Sequence, residues 1–146
     1  MPCLRIQMHS RNEIVEEARK WLGTPWRHQG RAGSGIDCCG LVIRVGNDLD
    51  FITYQTSAYS RRTTGEEFIH HFLNAGMHQV PFGRALPGDV LITADSKFPC
   101  HCGFIGEKQG AKTFIHAYAR KRRVVEDPYD AWLPKAVTVV RFPGVE

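Results

Sequence analysis

The chain has 146 residues, 42% of them hydrophobic and 23% charged, with a formal net charge of +4 at pH 7. That length suits one domain over residues 1–146 with a core of ordinary size, and that composition excludes a low-complexity or disordered chain. Apolar runs of only a few residues exclude a membrane-spanning helix, and so mild a positive excess is weak evidence for an anionic partner.

The chain begins Met1-Pro2-Cys3-Leu4-Arg5-Ile6, which lacks the apolar core of a signal peptide. Synthesis in the cytoplasm without a classical export signal is therefore expected. Ser10-Arg11-Asn12-Glu13 has the pattern of a capping box, and Ile14, Val15, Ala18, Trp21 and Leu22 follow at helical spacing. A helix is predicted over residues 11–22, stopped by Gly23. Residues 23–36 are glycine-rich and read as loop. The apolar run Leu41-Val42-Ile43-Arg44-Val45 suits a short buried strand or a buried helix, and periodicity alone does not decide between them. Residues 50–62 look irregular. Thr64-Gly65-Glu66-Glu67 is a second capping box, and Phe68, Ile69, Phe72 and Leu73 predict a helix over 65–75 ending at Gly76.

From residue 80 the pattern changes to strands. Pro87-Gly88-Asp89 reads as a turn, followed by strands at 90–93, 101–106, 112–118, 122–126 and 137–142, with a turn or helical turn over 127–134. Helices first and strands later indicate an α+β domain with an antiparallel sheet of about five strands.

The five cysteines are Cys3, Cys38, Cys39, Cys100 and Cys102. An odd number in tight clusters does not suit a disulfide framework, and the spacing misses the usual C-x-x-C of a zinc site. Free thiols are expected, with no metal and no cofactor. A hairpin centred on Lys108-Gln109 would set Gly106 opposite Ala111 and His101 opposite His116, so both histidines would share one sheet face. Gly103 would leave open space beside His101. Such a pair suits a base and the group that orients it. The nucleophile best placed to join them is a cysteine at a helix N-terminus, where the dipole and unpaired N–H groups favour thiolate. Cys38 fits that position if residues 41–45 are helical, which favours helix there. Asp37 is expected to cap that helix with its carboxylate turned away from the thiol. Cys39, Cys100 and Cys102 read as core residues. Arg120-Lys121-Arg122-Arg123 reads as a solvated strand turn rather than a nucleic-acid site, since no aromatic platform accompanies it.

Leu22-Gly23-Thr24-Pro25-Trp26, Asp37-Cys38-Cys39-Gly40-Leu41, Pro87-Gly88-Asp89-Val90, His101-Cys102-Gly103-Phe104-Ile105 and Ile115-His116-Ala117 together resemble the NlpC family of papain-like cell-wall cysteine peptidases. Residues 23–29 look like its phage tail-associated branch. The resemblance covers roughly residues 10–142. It implies Cys38 as nucleophile, His101 as base and His116 as the residue orienting it. It implies hydrolysis of amide bonds in peptidoglycan stem peptides, often between D-glutamate and the diamino acid, through a thioester. Its implied partners are those stem peptides and phage tail proteins, with neither nucleic acid nor membrane, and its implied place of action is the cell wall, on a virion or tail. Two positions depart from the family pattern. Trp26 stands where a tyrosine commonly helps hold the oxyanion, and Cys39 stands where serine commonly follows the nucleophile. The same fold and dyad also serve amidases and acyltransferases, and a tail assembly protein with a weak or inactive site is a third reading.

Overall fold

A computed structural model describes residues 10–52, 65–94 and 100–145. The N-terminal segment, Thr64 of the second capping box and most of the irregular stretch 50–62 lie outside the described residues. Helix α1 spans Arg11–Arg19, and Ser10 caps it by accepting from the Glu13 N–H at 3.2 Å. Its buried face is Ile14, Val15 and Ala18. Residues 20–22, predicted as helix, form a turn instead, closed by Trp21 N–H to Ala18 O and Leu22 N–H to Arg19 O. Such i→i−3 bonds are the usual tightening of a last helical turn.

Residues 23–36 are more ordered than a loop. They contain two short strands, β1 (Arg31–Ala32) and β2 (Gly35–Ile36), paired antiparallel. Helix α2 then spans Cys38–Asp48, which resolves the ambiguous apolar run as helix. It buries residues on nearly every side, which explains why no clean period showed. Helix α3 spans Gly65–Asn74.

The strands are β3 (His78–Val80), β4 (Val90–Thr93), β5 (His101–Lys108), β6 (Ala111–Tyr118), β7 (Arg123–Pro128) and β8 (Ala136–Arg141). They form one six-stranded sheet in the order β3-β8-β4-β5-β6-β7, antiparallel at every pairing. The extra strand relative to expectation is β3, only three residues long. Between β7 and β8 a single helical turn, α4, spans Tyr129–Trp132.

The sheet buries both faces. Val90, Ile92, Cys102, Phe104, Ile115, Ala117, Val124 and Val140 face the helices and share a core with Ile14, Leu41, Val42 and Val45. Leu91, Ile105, Phe114 and Val139 alternate to the other face, where Tyr129 and Trp132 cover them. Two-sided burial is why β4 reads as a continuous apolar run rather than an alternating one.

A buried ion cluster ties the first helix to the sheet. Asp89 is fully buried, at 0% exposure. Its Oδ1 accepts from Arg11 Nη1 at 2.9 Å and Arg141 Nε at 2.8 Å, and its Oδ2 accepts from Arg141 Nη2 at 2.9 Å and Leu86 N–H at 2.9 Å. The carboxylate thus joins the start of α1, the turn before β4 and the end of β8.

Candidate active site

Asp37 is the N-cap of α2, and Cys38 is its first residue. The Asp37 carboxylate accepts from Gly40 N–H at 2.8 Å and, through its other oxygen, from Gln29 N–H at 2.6 Å. Both oxygens are thereby committed to backbone, which fixes residues 23–36 against the helix start. The fit is close: a Cβ on Gly40 would lie 2.2 Å from Gly30 O, so only glycine serves there. The Cys38 N–H opens the first turn, where helical N–H groups lack intrahelical partners.

The hairpin of β5 and β6 turns at Gln109-Gly110, with φ of 52° and 81°. Two consecutive positive φ values are the signature of a type I′ turn. The register pairs Lys108 with Ala111 and Phe104 with Ile115. This shifts the expected pairing by two residues. Continued along the ladder, it sets Gly103 opposite His116 and His101 opposite Tyr118. A two-residue shift preserves the face, so the histidines stay neighbours along a diagonal. His101 Nε2 and His116 Nδ1 are 2.7 Å apart. The space at Gly103 is filled rather than open, because a Cβ there would lie 2.6 Å from His116 Cβ. Glycine at this position is what lets the second histidine ring pack so close.

The sequence reading missed Asp127. From β7 its Oδ2 lies 2.8 Å from His116 Nε2, and it also accepts from the Trp132 indole N–H at 3.1 Å. Burial alone would raise the Asp127 carboxyl, but the hydrogen bonds from His116 and Trp132 outweigh it and hold the group below its usual value. Burial, reinforced by the neighbouring His101, pushes His116 down to about 3, against the pull of Asp127. His116 is therefore neutral and carries one ring proton. An ionised carboxylate can only accept, so that proton sits on Nε2 and Nδ1 is an acceptor. His101 must then donate from Nε2, which leaves its Nδ1 lone pair available. Phe114, Tyr118 and Trp132 enclose the relay, with ring centroids 4.4 Å, 5.2 Å and 4.7 Å from that of His116.

Cys38 is half-buried, and its Sγ lies within 4.8 Å of those of Cys39 and Cys102. Its thiol is held well below the ordinary value by the Cys102 and Cys39 contacts first and by His101 next, against burial, which acts the other way. Cys39 and Cys102 are buried in the main core, as the sequence suggested, and both thiols are raised. For Cys102 burial is the chief cause; for Cys39 the contact with Cys102 pulls down but is outweighed by Cys38 and burial. Cys100 packs against the same core, where burial raises its thiol to about 11.

Trp26 lies on a segment strapped to β7 by its own N–H to Arg122 O at 2.8 Å, with Gly23 and Thr24 exchanging bonds with Val124 at 3.0 Å each. Its ring packs against the main core and stacks on His28 at 6.4 Å between centroids. Residues Arg120 to Arg123 form the exposed turn beside this strap, as expected of a solvated edge.

A cysteine at a helix N-terminus, its thiol lowered in part by an imidazole that a second imidazole and a carboxylate hold in one tautomer, can perform nucleophilic acyl transfer. Comparison with known proteins gives this geometry a setting. A search of curated proteins returned no match. Among solved structures, the NlpC/p60 domain of the peptidoglycan hydrolase SagA is similar with a TM-score of 0.62 at 20% identity, covering 92% of this chain and 100% of that one. An NlpC/P60 family protein from Bacillus cereus is similar with a TM-score of 0.68 at 18% identity; the match covers 94% of this chain and 41% of that protein. An N-acetylmuramoyl-L-alanine amidase from Bacteroides uniformis is similar with a TM-score of 0.62 at 12% identity, covering 90% and 98%. At these identities the likeness concerns the fold. The model of the NlpC/P60 family matches residues 23–141, most of the chain, and the chain belongs to that family.

Proposed function

We propose that this chain is a cysteine peptidase that hydrolyses amide bonds in peptidoglycan stem peptides, at the bond between D-glutamate and the diamino acid. The observation that carries the proposal is a thiol at the start of α2, lowered in part by His101, whose Nδ1 lone pair is freed by the 2.7 Å bond from its other nitrogen to His116. In this reading Cys38 is the nucleophile, His101 the base and His116 the residue that orients it, with Asp127 fixing His116 in turn. The thiolate attacks the carbonyl, and the Cys38 N–H donates to the developing oxyanion. Protonated His101 gives its proton to the leaving amine, and water then releases the acyl group from the thioester. The Trp26 indole is proposed as a further oxyanion or substrate contact. The setting proposed for this activity is a phage tail or virion acting at the cell wall.

The test is to incubate purified protein with defined muropeptides and weigh the products. Cleavage at the proposed bond gives a fragment with a new amine on the diamino acid. A product cut between muramic acid and L-alanine would instead make the chain an amidase, and no product at any enzyme concentration would sink the peptidase reading.

Asp127 gives a second test. Its Oδ2 accepts from both His116 and Trp132. Asparagine can keep a carbonyl oxygen at that point and preserve both bonds. Alanine leaves the His116 tautomer unfixed. Asp127→Ala is expected to lower kcat about 10- to 100-fold with KM little changed, the usual scale for an orienting group. Asp127→Asn should stay within about 10-fold of wild type. Equal losses in the two variants would show that charge, and not tautomer control, is the contribution of Asp127.

A further inference from the structure

Three sulfurs meet at the start of α2. The Sγ atoms of Cys38, Cys39 and Cys102 all lie within 4.8 Å of one another. Cys39 is 3% exposed and Cys102 0%. Hydrolysis as proposed requires one thiol, and a core position needs only an apolar group, so the convergence of two more sulfurs on the nucleophile calls for its own account. Consecutive helical residues point about 100° apart, so two adjacent thiols cannot both face His101. They can both reach a third sulfur that rises from the sheet beneath the helix, and Cys102 on the helix-facing side of β5 is that sulfur.

We propose that Cys38, Cys39 and Cys102 form a binding site for a thiophilic d¹⁰ cation such as Zn²⁺, whose occupation withdraws the nucleophile. Thiolates around such a cation sit about 2.3 Å from it, which places neighbouring sulfurs about 3.8 Å apart. The three sulfurs therefore need to close by no more than about an ångström. Binding displaces the thiol protons to solvent, and the cation neutralises thiolates that would otherwise be costly to bury. Soft sulfur donors select such ions over Mg²⁺ or Ca²⁺. The sequence spacing hid this site because two of its ligands are adjacent and the third is brought in by the fold. Binding of the cation stands on the sulfur geometry alone; its inhibitory effect rests on the peptidase reading.

The test uses the full chain, reduced and stripped of metal. Titration with Cd²⁺ is followed by sulfur-to-metal charge-transfer absorbance, and Zn²⁺ affinity is measured against a chromophoric chelator. One equivalent should saturate the signal, with an intensity of three thiolates. Cys38→Ala, at a half-exposed position, should remove about a third of that intensity. Cys39→Ala/Cys102→Ala, checked for a native circular dichroism spectrum, should weaken Zn²⁺ binding by about 100-fold or more. Inhibition of the double variant by Zn²⁺, scaled to its own metal-free rate, should weaken by a similar factor. If the double variant binds Zn²⁺ as tightly as wild type, the cation sits on Cys38 and His101 alone and the three-sulfur site is wrong. Wild type without a charge-transfer band would overturn it equally. A protein that binds the cation but cleaves no muropeptide would defeat the peptidase reading and leave this one standing.

Discussion

Cys38→Ala is expected to lower kcat/KM on muropeptides by about 10⁵-fold, the scale on which loss of a nucleophile falls in triad hydrolases. The reason lies in how the start of α2 presents Cys38 beside the histidine relay. Asp37 spends both carboxylate oxygens on the backbone of Gly40 and Gln29, so it braces the helix start without a free oxygen aimed at the thiol. The bond from His101 Nε2 to His116 leaves the Nδ1 lone pair of His101 available. In the proposed mechanism alanine removes the group that forms the thioester, and water positioned by His101 is a poor substitute. His101→Ala should cost a similar factor, and the double variant should be little worse than either single one, because nucleophile and base act as a unit. Rates from mass-resolved product formation check both statements. A Cys38→Ala protein that retains more than about a hundredth of wild-type activity would mean that another residue carries the reaction.

The largest expected effect on stability is at Asp89. Alanine there removes the carboxylate shared by the Arg11 and Arg141 guanidinium groups, 19% and 14% exposed at the side chain. Breaking a buried pair on one side costs about 3–5 kcal/mol, because the remaining charge stays desolvated. Leu86 N–H loses its acceptor as well. For a chain of this size the melting temperature should fall by about 10 °C or more. Thermal unfolding followed by circular dichroism measures it. Replacing Asp89 and both arginines together with apolar residues should recover part of the loss, since the cost is that of stranded charge more than of a lost attraction. A melting temperature within about 2 °C of wild type for Asp89→Ala would show that the arginines find other partners.

How much of this was legible in the sequence depended on the distance over which each feature is specified. The Ser10 cap and the strand at 90–93 are set by neighbouring residues and appeared at their expected places. Asp37 was identified as a cap because its partner is three residues away. The hairpin register was two residues off. A turn at Gln109-Gly110 requires positive φ at both positions, and the glycine at 110 was the available signal for it. The error left the histidine pair intact only because strand faces repeat every two residues. Asp127 was not legible at all. It reaches His116 across a strand pair in which His116 is opposite Val125, so the contact is a diagonal that no local pattern encodes. Glu126, its neighbour in sequence, faces the other way and pairs with Arg19 of α1 at 2.9 Å. Two adjacent acidic residues thus serve opposite faces of one strand, a distinction that composition cannot make.

The neutrality of His116 has a consequence for where a proton can travel. A ring pushed down to about 3 will not accept a second proton from His101 near neutral pH, and Asp127, held below its usual value, is a still poorer destination. The chain of nitrogens and oxygen behind the base is a mooring and not a wire. In the proposed mechanism the proton that leaves Cys38 stops at His101 Nδ1, and the departing amine is the next base to arrive.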